Sequence, residues 1–130
     1  MPFERRNHHP VILCVDDEKE ILAALRRCLS TEPYEVLTAQ GADEALCWFE
    51  EGPIDLVITD QQMPGTVGTE LLREVGRRSP KTARAILTAY RIPSVVVEGL
   101  NVGVEEFVYK PWGDDSLKEM IRRVLRTKPR

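Results

Sequence analysis

The sequence predicts an α/β fold, a doubly wound parallel sheet with helices on both faces. Two observations carry this expectation. Five short runs of apolar and β-branched residues alternate with five stretches of helical spacing, the order of βαβ units and not of hairpins. The runs are apolar along most of their length, as strands covered on both faces require.

In chain order, "VILCV" (11–15) is the first strand, and Ile21, Leu22, Leu25 and Leu29 line one face of the helix after it. "EVLTA" (35–39) is the second, followed by a helix with Ala42, Ala45, Leu46 and Phe49 on its apolar side. "IDLVIT" (54–59) is the third, and Leu71, Leu72 and Val75 mark the next helix. "ARAILTA" (83–89) and "EEFVY" (105–109) are the fourth and fifth. Leu117, Ile121, Val124 and Leu125, spaced i, i+4, i+7 and i+8, form the face of the last helix. The segment "SVVVEGLNVG" (94–103) is the exception. Its valines favour a strand, and its glycine costs a helix about 1 kcal/mol relative to alanine. Topology outweighs propensity here, because parallel neighbours need a crossover of about a dozen residues. The segment is therefore read as a helix of low intrinsic stability over 94–102, and as the part that moves.

A chain of 130 residues with 42% hydrophobic and 30% charged residues fits one globular domain that needs no metal or disulfide staple. That domain is assigned to residues 10–127, between a polar N-terminal segment (1–9) and a short tail (128–130). The net charge of −3 argues against a nucleic-acid footprint. The absence of a long apolar span or secretory leader argues against a membrane, so a cytoplasmic location is expected. Cys14, Cys28 and Cys47 form no CxxC and lie in apolar stretches, so they are read as buried thiols. His8 and His9, adjacent in a polar segment, make a poor metal site without further ligands.

The stretch "VITDQQMPG" (57–65) raises the functional question, because its apolar run ends on Asp60 and then breaks into a turn. Aspartate ends strands well for local reasons alone. Yet Asp16 and Asp17 follow the first strand, Thr88 ends the fourth and Lys110 follows the fifth. In an open α/β sheet these carboxyl ends share one edge, where ligands bind. Three carboxylates with a lysine and a hydroxyl suit a hard divalent cation and a phosphoryl group. Each residue also has a local explanation. Asp17 with Glu20 resembles a capping box, Asp60 could cap a turn, Thr88 could be an ordinary strand residue and Lys110 a solvated one. Their joint arrival at one edge favours a site.

"VDDE", "DLVITDQQMPG", "LTA" and "YKPW", in this order and spacing, resemble the receiver domain of bacterial two-component response regulators over nearly the whole chain. The resemblance implies a flavodoxin-like sheet in strand order 2-1-3-4-5. It implies that Asp60 accepts a phosphoryl group from a phosphohistidine on a sensor histidine kinase or phosphotransfer protein. Asp17 would ligate Mg²⁺ (or Mn²⁺) directly and Asp16 largely through water, with Asp60 and the main-chain carbonyl of Gln62 completing the protein ligands. Thr88 and Lys110 would hold phosphoryl oxygens, Thr88 and Phe107 would act as the switch, and Gln62 and Tyr90 would border the water that ends the phosphorylated state, with the Tyr90 ring shielding it. The Lys110–Pro111 bond is expected to be cis. Such a protein is its own substrate, not an enzyme releasing a product.

Three positions depart from the commoner pattern of these receivers. Phe107 replaces a frequent tyrosine, and Thr66 and Val67 replace a frequent Met-Asp before Gly68, leaving the loop after Asp60 less defined. An aspartyl phosphatase would carry a second acid at the position of Gln62, and a flavin site would need a Ser/Thr/Gly-rich loop where "DDEKE" stands. The alternative retained is a phosphorylation-independent docking or dimerisation module with the same fold. A homodimer is one candidate partner. The output is not readable, and the chain is expected to be a stand-alone receiver or a fragment of a longer regulator with an unknown output domain.

Overall fold

The computed structural model describes residues 9–89, Glu98 and residues 101–127. Among them five parallel strands form one sheet in the order β2-β1-β3-β4-β5. The strands are β1 (Val11–Val15), β2 (Glu35–Ala39), β3 (Leu56–Thr59), β4 (Ala83–Thr88) and β5 (Glu106–Tyr109), and the helices are α1 (Lys19–Leu29), α2 (Ala42–Phe49), α3 (Gly68–Arg78) and α4 (Asp114–Thr127). This is the expected doubly wound architecture.

Strand alternation divides the core between two layers. Val11, Leu13 and Val15 of β1 face one side with Val57 and Ile86, and meet Ala45 of α2 and Leu71, Leu72 and Val75 of α3. Ile12 and Cys14 face the other side with Ile58 and Leu87, and meet Leu22, Leu25 and Leu29 of α1 and Leu117, Ile121 and Val124 of α4. All five residues of β1 are buried because it lies inside the sheet, in register with β2 and β3. Burial on both faces is why "VILCV" carries no polar position.

Two details differ from the sequence reading. β3 begins at Leu56, not at residue 54, because the Asp55 side chain replaces a ladder partner: Val11 N–H donates to its Oδ2 at 2.8 Å. Cys47 is exposed while Cys14 and Cys28 are buried, since Ala45 alone of α2 is fully covered and Cys47 sits on the side turned from the core. Burial pushes the Cys14 thiol up to about 12, so it stays protonated and acts as a small apolar side chain. Most of the 94–102 segment lies outside the described residues; Glu98 and Asn101 are helical, and Val102 N–H donates to the Glu98 carbonyl at 3.2 Å, one α-helical bond.

Candidate functional site

The carboxyl edge of the sheet holds its polar residues by continuing the strand ladders one step into the loops. Asp16 N–H donates to Ala39 O at 3.1 Å, Asp60 N–H to Val15 O at 2.9 Å and Lys110 N–H to Thr88 O at 2.9 Å. Each side chain therefore starts from a backbone that is still part of the sheet. Asp16 is 1% exposed and Asp60 6%, whereas Asp17 is exposed. Carboxylate oxygens of these three residues all lie within 4.8 Å of one another.

Lys110 reaches into this group with its side chain 15% exposed, bonding Asp16 Oδ2 at 2.9 Å and lying 3.5 Å from Asp60 Oδ1. Glu18 Oε1 stands 4.0 Å from the same ammonium. One lysine among these carboxylates leaves the edge with uncompensated negative charge. Burial and the neighbouring Asp16 charge hold the Asp60 carboxyl above the usual range, against Lys110 and the Gln61 N–H, which favour the charged form. Burial alone would depress the Lys110 ammonium. Its bond to Asp16 and the charges of Asp16, Asp60 and Glu18 outweigh that and raise it.

A repelling, partly dehydrated set of hard oxygen donors is the chemistry that suits a small divalent cation. The three carboxylates fit such an ion, and Gln62 lines the same cleft of about 340 Å³ with Asp17, Glu18, Asp60, Ala89 and Lys110. The local explanation for Asp17 does not hold. The N-cap of α1 is Glu18, with no side-chain cap, and Glu18 N–H donates instead to Asp16 Oδ1 at 2.9 Å. No Asp17–Glu20 capping box forms.

Thr88 ends β4 and is 2% exposed; its register partner is Tyr109, while Phe107 pairs with Ile86 and packs on the α2–α3 side of the core. The Lys110–Pro111 bond is cis. Tyr90 lies outside the described residues. The loop after Asp60, which the sequence left less defined, is anchored at Met63, buried in the core, and turns at Gly65, whose φ of 86° is the left-handed region that favours glycine.

Two residues went unnoticed in the sequence. Gln61 is 7% exposed and its amide is bonded at both ends to Thr69. Gly68 approaches the Asp60 peptide so closely that a Cβ there would lie 2.4 Å from the Asp60 carbonyl oxygen. The only available signals were a glycine at the start of a helix and a valine where a cap belongs.

A 2-1-3-4-5 sheet with an acidic, lysine-bridged pocket at its carboxyl edge defines a receiver module of two-component signalling. The chain belongs to the response regulator receiver domain family, which it matches over residues 12–122. It is 36% identical over 115 residues to the hydrogenase transcriptional regulatory protein HoxA of Cupriavidus necator, covering 88% of this chain and 24% of that protein. It is 37% identical over 120 residues to the phosphate regulon transcriptional regulatory protein PhoB of Rhizobium meliloti, covering 90% and 52%. The chain thus spans between about a quarter and about half of the length of these curated relatives. A response regulator receiver domain protein from Methanospirillum hungatei superposes with a TM-score of 0.89 at 32% identity, covering 92% of this chain and 96% of that one. The signal receiver domain of an HD domain-containing protein from Pseudomonas fluorescens gives 0.89 at 31%, covering 92% and 97%.

Proposed function

We propose that this receiver takes a phosphoryl group onto Asp60 from the phosphohistidine of a sensor histidine kinase or phosphotransfer protein, in a Mg²⁺-dependent reaction, and thereby changes its partner-binding surface. The observation that carries this reading is the position of Asp60: nearly buried at the end of β3, beside a second buried carboxylate, with Lys110 between them. An Asp60 carboxylate oxygen attacks phosphorus, the bond from phosphorus to the histidine nitrogen breaks, and the electron pair leaves on the imidazole. The transferring group carries its charge on three equatorial oxygens, and Lys110 is placed to pair with one of them. The Thr88 hydroxyl donates to another. Asp16, Asp17, Asp60 and the Gln62 carbonyl would hold Mg²⁺, which when bound offsets the repulsion between carboxylate and phosphoryl group.

Pairing of Lys110 and Thr88 with the phosphoryl group replaces their present contacts and favours a second packing, with Phe107 moving beside Thr88. Glu98 and Val102 are tied to α3 and to β4, by the Arg73–Glu98 ion pair and by Arg84 Nη1 bonding Val102 O at 3.1 Å, and Arg84 N–H donates to Glu105 Oε1 at 3.2 Å just before β5, so a shift there is passed toward the β5–α4 face. That face is where an output domain or a second copy would read the state. The relatives' printed roles in transcription support an output in gene regulation. Gln62, and Tyr90 on sequence grounds alone, would set how long the state lasts. No described helix is long and apolar enough to cross a membrane, in keeping with action from the cytoplasm.

Incubating the protein with acetyl phosphate and following its intact mass tests this reading. One phosphoryl group should be gained with Mg²⁺, none in its absence, and none by Asp60→Ala. A parent protein that gains none would leave the phosphorylation-independent docking or dimerisation module as the better account.

A further inference from the structure

Helix α3 begins without a cap of its own. Val67 occupies the N-cap position and has no side-chain oxygen to offer the first turn. The first two N–H groups of the helix go instead to one distant residue. Gly68 N–H donates to the Gln61 carbonyl at 3.0 Å, and Thr69 N–H donates to Gln61 Oε1 at 2.9 Å. Gln61 Nε2 in turn donates to Thr69 Oγ1 at 3.3 Å. The helix therefore hangs on the peptide that separates Asp60 from Gln62. The fit is close, because a Cβ on Gly68 would stand 3.0 Å from both Gln61 Cα and Gln61 Oε1. In the preceding peptide, the Asp60 carbonyl accepts a bond from Thr59 Oγ1 at 3.0 Å.

We propose that Gln61 is a positioning residue for the acceptor site: by clamping the N-terminus of α3 it fixes the backbone of residues 60–62, and so the aim of the Asp60 carboxylate and the Gln62 carbonyl. The inference rests on the reading of Asp60 as acceptor and adds a residue to it. A helix start is a rigid reference, with two of its four unpaired N–H groups spent on Gln61. A local cap would satisfy that helix equally well. It would leave the acceptor backbone held by the Gly68–Gln61 main-chain bond alone, without the side-chain clamp, which is the difference between a structural role and a positioning one.

Two variants separate these roles. Gln61→Met keeps the length of the side chain and removes both amide bonds. Adding Val67→Asp supplies a local cap to α3 without restoring the side-chain tie to Gln61. Three quantities are compared with the parent: the thermal midpoint, the amide resonances of residues 60–63 in metal-free protein, and the Mg²⁺ dissociation constant by calorimetry. Gln61→Met should lower the midpoint, displace those resonances and weaken Mg²⁺ binding about tenfold, the lower end for loss of a group that orients a ligand. Val67→Asp should restore the midpoint and neither of the other two. Gln61→Glu should keep parent-like resonances, since the Thr69 hydroxyl can turn to donate to a carboxylate. Parent-like resonances in Gln61→Met, or their return together with the midpoint in the double variant, overturns the proposal. Acetyl phosphate labelling of the parent, run alongside, reports separately on whether Asp60 is an acceptor at all.

Discussion

Gly68→Ala should slow phosphorylation far more than it destabilises the protein. An added Cβ would lie 2.4 Å from the Asp60 carbonyl oxygen, whereas ordinary contact begins at 3.4 Å. Relief of that overlap requires the start of α3 and the Asp60 peptide to separate by about 1 Å, and a misplacement of that size at a reacting group can cost about a hundredfold in rate. Overpacking of this kind costs about 1–3 kcal/mol. Alanine returns about 1 kcal/mol through its better helix propensity, so the net loss of stability is about 0–2 kcal/mol. The assay is a time course of acetyl phosphate labelling by intact mass with saturating Mg²⁺, well below both unfolding midpoints. Gly41→Ala, whose added Cβ would meet nothing within 4 Å, serves as the control and should label like the parent. If Gly68→Ala labels within about threefold of the parent while folded, the argument from close approach and misplacement fails.

In metal-free protein, the Asp60 contribution to stability is full below the ordinary aspartate value of 3.8 and is lost as the pH rises through its raised folded value. Asp60→Asn should therefore have the higher thermal midpoint at neutral pH in chelator, and Mg²⁺ at about 100 times its dissociation constant should restore about 2.7 kcal/mol to the parent. Equal midpoints in chelator would contradict the burial argument. Lys110→Ala leaves Asp16 and Asp60 buried without their cation and should cost about 3 kcal/mol in denaturant melts, while calorimetry still finds Mg²⁺ binding and labelling slows. Gly76→Ala should destabilise by about 1–3 kcal/mol, because its Cβ would lie 2.2 Å from Arg84 Nη1, which is held by the Val102 carbonyl. In an Arg84→Ala background the same change should stabilise by up to about 1 kcal/mol, and a stabilising Gly76→Ala in the parent would sink that account.

The fold was legible because its strands are interior. "VILCV" and "LVIT" read as strands because both faces are buried, and the four described helices carry their apolar residues at plain helical spacing. The site was legible for a related reason: residues that follow successive parallel strands must meet at one edge, whatever the loops do. What stayed hidden depends on side chains reaching across space. Gln61 caps a helix eight positions away, a relation no local rule of capping contains. Arg84 threads between Gly76 and Gly103, so that two glycines far apart in sequence serve one guanidinium. The Asp17–Glu20 spacing pointed to a cap that the chain does not form, because α1 begins one residue later, with Glu18 at the N-cap position. Cys47 differs from the buried reading because it lies on the side of α2 turned from the core, away from Ala42, Ala45, Leu46 and Phe49, which pack on it.

Locating the phosphoryl group tests the central claim most directly. Acyl phosphates are reduced by borohydride, which converts a phosphorylated aspartate into homoserine and leaves a free carboxylate unchanged. Labelling the protein with acetyl phosphate and Mg²⁺, reducing it, and sequencing its peptides by mass spectrometry should find homoserine at position 60 and aspartate still at 16, 17 and 55. Homoserine at Asp16 or Asp17, or none in protein that has gained the mass of a phosphoryl group, would contradict the assignment of Asp60 as the acceptor.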